Sequence, residues 1–209
     1  MGWRKIYETE QNMKFSRRRK SSLNFGRTRR KFNVEKFKEN LTWVLQIGAV
    51  IFAAYVCVSW FGVRSNVIGQ AMADTLNNGD QVLINKFAYL VSSPKSGDVI
   101  VFLPNGNERS HYYVRRVIGI PGDKIQIKDG AVYVNGTLYD EKIEVAAMED
   151  AGIAAEEITL GSDEYFVLGD NRNNSEDSRY ANIGNIKDEY IVGQAWFRVE
   201  SEEGTGFIH

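Results

Sequence analysis

Histidine and cysteine are almost missing from this 209-residue chain, which holds two of the first and one of the second. A single thiol excludes a disulfide framework, and Cys57 with His111 and His209 cannot assemble a Cys/His zinc site, so neither a metal nor another cofactor is expected. Charge of one sign is lacking too, since 26 Lys and Arg stand against 27 Asp and Glu. With 25% charged and 43% apolar residues, a wholly disordered chain is excluded. No internal repeat or low-complexity stretch appears, and the length suits one ordinary domain plus an extension. The neutral total hides a division. Residues 1–40 carry 13 Lys and Arg against 4 Asp and Glu, whereas the remaining 169 carry 13 against 23.

Between the two parts, charge vanishes. Leu41 to Val63 is an uncharged run of 23 residues. At ~1.5 Å per residue it makes a helix of about 34 Å, long enough to cross a ~30 Å hydrocarbon core. Trp43 and Trp60 lie near its ends, where amphipathic rings favour the headgroup level. The run is too long for a cleaved signal peptide, and Val56 before Cys57 does not suit a lipoprotein cleavage site. We read it as a single-pass membrane anchor. Arg17, Arg18, Arg19, Lys20, Arg27, Arg29, Arg30 and Lys31 precede it, and only Arg64 follows before Lys86. That asymmetry predicts a cytoplasmic N-terminus and an extracytoplasmic C-terminal part. A basic leader joined to such a helix is better suited to membrane lipid than to nucleic acid, which is not expected as a partner. Its composition predicts a largely disordered leader over 1–40, helical at Val34–Asn40, then the anchor over 41–63 and one domain over 64–209.

The part after the anchor reads as sheet. Gln81–Asn85, Asp98–Leu103, Tyr112–Ile120, Lys124–Lys128, Tyr165–Leu168 and Ile191–Val199 are short β-branched or aromatic runs bounded by Gly, Pro and Asp. Asn135-Gly136 between VYV and TLY predicts a two-residue hairpin turn. Ala146–Glu157 alone has a weak helical pattern, read as an excursion from the sheet. A mostly β, antiparallel domain on one transmembrane helix is the expected architecture.

Three stretches carry a family resemblance. VIGQAMADTLNNGDQVLINK (67–86) resembles the nucleophile segment of type I signal peptidases, YYVRRVIGIPGDKI (112–125) the segment of their lysine base, and GDNRNNSEDSR (169–179) their third signature. These occur in the family's order, from the anchor to about Val199. The resemblance implies the signal peptidase β domain and an action on signal peptides of exported preproteins at the outer membrane face.

The chemistry departs from that family. Its reaction needs a serine hydroxyl and a neutral lysine amine, and serine attacks poorly until a base takes its proton. Here the serine position is Ala71 and the lysine position is Arg115. A methyl group cannot attack a carbonyl, and a guanidinium with a pKa above ~12 is effectively never deprotonated. Asp74 stands where the family has proline, placing a carboxylate beside the site. Ser65, as a linker serine, His111, as an exposed loop residue, and Lys86 and Lys95, in solvated turns, offer no spacing for a substitute dyad.

By resemblance, Ser175 is the hydroxyl that orients the amine, Asp177 and Arg179 form a supporting ion pair, and Asp170, Asn171 and Arg172 shape the loop. The backbone N–H at position 71 can still serve an oxyanion. Met72, Ile84, Phe102 and Val114 can line a groove that accepts an extended peptide beside 112–118, or can equally be core residues. The resemblance thus implies a signal peptidase I-like membrane protein, inactive or impaired, serving as a peptide-binding or surface-protein assembly factor. Its expected partners are signal peptides or preproteins, an active signal peptidase, or pilus and surface-protein assembly machinery. The alternative is an active signal peptidase I with a non-standard dyad.

Overall fold

A computed structural model describes residues 33–201 and 204–208; the leader expected to be disordered lies, up to residue 32, outside the described residues. The chain divides into two compact units, Met1–Leu45 and Gln46–His209. Helix α1 (Val34–Phe61) begins at Asn33, whose Oδ1 accepts from the amides of Glu35 and Lys36 at 3.2 and 3.3 Å. A side-chain acceptor at that position satisfies amides that a helix start leaves unpaired. None of the helix is buried, and its apolar window has a mean hydropathy of 2.1, so it is long and apolar enough to cross a membrane. It stops two residues short of the expected end. Val63 is already the first residue of a strand, and Ser65, read as a linker serine, lies within that strand.

The remaining elements are β1 (Val63–Asn66), β2 (Gln81–Asn85), α2 (Ala88–Val91), β3 (Val99–Phe102), β4 (Tyr113–Gly119), β5 (Lys124–Lys128), β6 (Ala131–Val134), β7 (Thr137–Leu138), β8 (Ile158–Thr159), β9 (Glu164–Leu168), β10 (Ile186–Lys187), β11 (Ile191–Glu200) and β12 (Gly206–Phe207). One sheet runs β1-β2-β11-β3-β4-β9-β10 with β12 on β11, and the other runs β7-β6-β5-β8. Every pairing among them is antiparallel. The expected hairpin forms at Asn135 (φ 54°) and Gly136 (φ 77°), the two positive angles a type I′ turn requires.

Alternation assigns the strand faces. In β3, Val99 and Val101 join one core cluster while Ile100 and Phe102 join another, so both faces are covered. Fully burying such side chains contributes roughly 1.5–3 kcal/mol each, which makes this strand a stable spine. The helix expected over Ala146–Glu157 does not form, apart from a 3₁₀ turn at Gly152–Ala155. Its amides are spent on distant acceptors instead. Met148 N donates to Gly130 O, Glu149 N to Asn173 Oδ1 and Ile153 N to Arg179 O. A backbone donor satisfied by tertiary contact has no need of a helical carbonyl.

Candidate functional site

Strand β4 sets the site. Successive side chains point to opposite faces of a strand, so Tyr113 and Arg115 share one side and Val114 and Arg116 the other. Arg115 is 6% exposed and its guanidinium lies 5.1 Å from the centre of the Tyr113 ring. Its Nε donates to Glu176 O at 2.9 Å and its Nη1 to Val114 O at 2.7 Å. Burial pulls the Arg115 guanidinium below its ordinary value, against Asp177, Tyr113, Glu176 and Asp170, which push it up. On the opposite face, Arg116 grips Asp170 with two bonds of 2.8 Å, and Thr75 Oγ1 donates to the same carboxylate at 2.6 Å. Charge-assisted forks of this kind hold a loop in one geometry.

The loop that follows β9 is built around buried charges. Asp177 Oδ1 accepts from Arg179 Nε at 2.8 Å, and Oδ2 accepts from Arg179 Nη2 and the Gly169 amide at 2.9 and 3.1 Å. Burial lowers the Arg179 guanidinium, but Asp177 outweighs it and leaves that group above its ordinary value. Arg172 donates to Gly169 O at 3.0 Å and pairs with Glu141 at 2.6 Å. Asn171 N donates to Ala71 O at 3.0 Å, tying this loop to the turn that carries Ala71. A glycine is needed where they meet. A Cβ at Gly169 would overlap both Ser175 Oγ and the Ala71 carbonyl oxygen, so those two atoms converge on one point.

Ala71, Arg115 and Ser175 line one cleft of about 610 Å³, with Tyr113, Glu176 and Asn174 among its other walls. A second depression of about 590 Å³ shares Ile68, His111 and Tyr112 with it, extending the cleft into a trough. Ser175 Oγ is buried and has no hydrogen-bond partner among the described residues. The cleft thus brings together Ala71 and Arg115, the two positions that the sequence resemblance assigns to nucleophile and base. Among the described residues, no group of three or more His, Cys, Asp and Glu gathers to hold a metal.

Other residues singled out from sequence lie elsewhere. Met72, Ile84, Phe102 and Val114 are at most 3% exposed and belong to the core clusters, so they do not line the cleft. Both faces of the inner strands that carry Ile84, Phe102 and Val114 are covered, and Met72, in the turn before β2, packs into the same core. Asp170, Asp177, Arg172 and Arg179 are buried behind the cleft rather than in its wall. Asp74, in the turn that carries Ala71, borders a separate depression with Thr75 and Glu144 rather than the cleft wall. The wall residues Ile68, Tyr113 and Glu176 escaped the sequence reading. Tyr113 was within its reach, because period-two alternation from Arg115 puts it on the same face.

Residues 40–200 match the family model described as signal peptidase, peptidase S26. Signal peptidase IB of Staphylococcus aureus is 33% identical over 178 residues, covering 77% of this chain and 90% of its own. Signal peptidase I P of Bacillus subtilis subsp. natto is 33% identical over 171 residues, covering 78% and 91%. A crystal structure of a signal peptidase I from Enterococcus faecalis matches 49% of this chain and 97% of its own at 27% identity, with a TM-score of 0.38.

Proposed function

From the premise that this chain belongs to the signal peptidase family, peptidase S26, we propose that it binds the signal peptides of exported preproteins without cutting them by that family's serine–lysine chemistry. One observation carries this reading. The cleft that brings together the positions of the family's reacting groups presents the Ala71 methyl and the Arg115 guanidinium. Nucleophile and base act as a unit, so losing both costs little more than losing one and leaves binding as the remaining capacity. Ser175 offers the one aliphatic hydroxyl in the cleft wall, and its neighbour Arg115 cannot take its proton. The role in the cell is then that of a peptide-binding or surface-protein assembly factor, working beside an active signal peptidase or with pilus assembly machinery. Ser175, Asp177, Arg179, Asp170, Asn171 and Arg172 keep the cleft in shape.

The apolar helix and the family relation together point to membrane anchoring. The arginine and lysine excess before the helix supports a cytoplasmic N-terminus, with the domain from about residue 64 outside. In a Cys57→Ala background, a cysteine at Ser21 should resist an impermeant thiol reagent in intact cells, while one at Asn107 should react. The reverse pattern would refute the orientation.

The test of function uses the full chain in detergent micelles with a preprotein bearing small residues before its cut site. Binding without cleavage is expected. Cleavage far above background that survives removal of host peptidase would instead establish an active enzyme with another dyad, and absence of binding would remove the peptide-binding role.

A further inference from the structure

Four arginines are buried in the domain: Arg115, Arg116, Arg172 and Arg179, all at most 6% exposed. Arg116, Arg172 and Arg179 each meet a carboxylate, at 2.8, 2.6 and 2.8 Å. Arg115 meets none among the described residues. Its Nε and Nη1 are taken by two main-chain carbonyls, and its Nη2 makes no hydrogen bond there. Asp177, Glu176 and Asp170 act on it from beyond ion-pair distance, and a buried cation without a direct partner carries a penalty, which an anion on its open edge relieves. Arg115 lines the cleft, so that anion can come from solution.

Two further donors stand with it. Ser175 is 9% exposed, lines the same cleft, and its Oγ is buried without a partner. An unsatisfied buried hydroxyl costs about 1–3 kcal/mol, which a ligand oxygen at the cleft floor removes. The Ala71 amide, also in this wall, has no acceptor among the described residues. We propose that Arg115, Ser175 and the Ala71 amide form a carboxylate receptor that holds the free C-terminus of an extended peptide. It rests on the peptide-binding reading of the cleft and specifies which peptides are kept.

Three features select this ligand. A guanidinium edge and a hydroxyl or amide donor match the two oxygens of a carboxylate. Glu176 is exposed at the cleft, its Oε2 accepting from Tyr113 Oη at 3.2 Å, and it disfavours a phosphate dianion more than a monoanion. The trough toward Ile68, His111 and Tyr112 leaves room for the chain that precedes a terminal carboxylate. Such an end is what hydrolysis leaves on the upstream side of a peptide bond. The reaction that supplies the ligand is therefore a proteolysis performed by another protein, and this chain retains the product.

The experiment uses the full chain in detergent micelles and a fluorescent apolar peptide ending in Ala-Xaa-Ala. It compares the free acid, the C-terminal amide, and an amide carrying Glu as its last residue. The free acid should bind at least about tenfold tighter than either amide, as expected for charge-assisted bonds. Arg115→Met, which fills similar volume, should abolish the difference, with the free acid falling to the affinity that the same variant shows for the amide; Arg115→Lys should keep part of it. Glu176→Gln should widen it. Thermal melting establishes that each variant is folded. Equal binding of acid and amide overturns the receptor and leaves the peptide-binding reading standing, and a preference for the Glu amide overturns its assignment to a C-terminus. If neither peptide binds, the peptide-binding reading fails. The receptor is then judged by the ¹⁵N signal of Arg115 Nε on adding N-acetylalanine or its amide. A shift with the acid alone keeps the receptor, and no shift with either overturns it.

Discussion

Restoring the missing chemistry tests whether the cleft still has the geometry of an enzyme. Ala71→Ser alone should stay inert, because Arg115 cannot take a proton, and Arg115→Lys alone supplies a base with nothing to activate. The double variant has both. Position 115 is 6% exposed, and the burial that lowers its guanidinium should lower an ammonium as well. Of the carboxylates that oppose this, Asp177 is held by Arg179 and Asp170 by Arg116, both at 2.8 Å. Burial should therefore prevail. Each pKa unit of lowering from ~10.4 raises the free amine about tenfold at fixed pH. Ser175 Oγ, without a partner among the described residues, lines the same cleft. Loss of nucleophile and base together costs up to about a millionfold, and a site not tuned for turnover should regain at least about a thousandfold over either single variant, or about 4 kcal/mol of barrier. The assay is cleavage of a preprotein by the full chain in micelles. Because the neutral amine is the base, rate should rise about tenfold per pH unit below the lysine pKa and level off above it. A folded double variant that binds the peptide but cleaves at the single-variant rate would refute the reasoning.

Asp177→Asn leaves Arg179 buried with a neutral partner and should destabilise the domain by about 3–5 kcal/mol in urea unfolding, most of which Asp177→Asn with Arg179→Met should recover. Gly169→Ala would drive a methyl into Ser175 Oγ and the Ala71 carbonyl; a loss of about 1–3 kcal/mol and weakened peptide binding are expected, read by thermal melting and anisotropy. Asp74 has φ of 103°, so Asp74→Gly should stabilise by about 1 kcal/mol. Asp74→Pro, which the family pattern alone recommends, should destabilise, since proline holds φ near −65°.

Composition and local periodicity determined much of this protein. The uncharged run marked the apolar helix, and alternation marked the inner strands to within a residue or two at each end. Asn135-Gly136 marked its hairpin because the two positive φ angles are a property of those residues themselves. What the Ala71 methyl and the Arg115 guanidinium cannot do as nucleophile or base was legible as well, since it is intrinsic to those side chains. What covers each strand face was not local. Met72, Ile84, Phe102 and Val114 were equally suited to groove or core, and alternation could not choose because residues distant in sequence, Leu76 on one face of β3 and Ile183 on the other, decide what is covered. The segment over Ala146–Glu157 was likewise decided by Gly130, Asn173 and Arg179, whose groups take the amides a helix would have used. Most of all, the sequence shows these four arginines and the acids around them without saying who pairs with whom. Packing of the loop after β9 against β4 gives Arg116 its Asp170, the segment after β7 brings Glu141 to Arg172, Arg179 takes Asp177 from its own loop, and Arg115 is left with two carbonyls and an open edge. Charge pairing is set by distance in space, and that distance exists only once the sheet has formed.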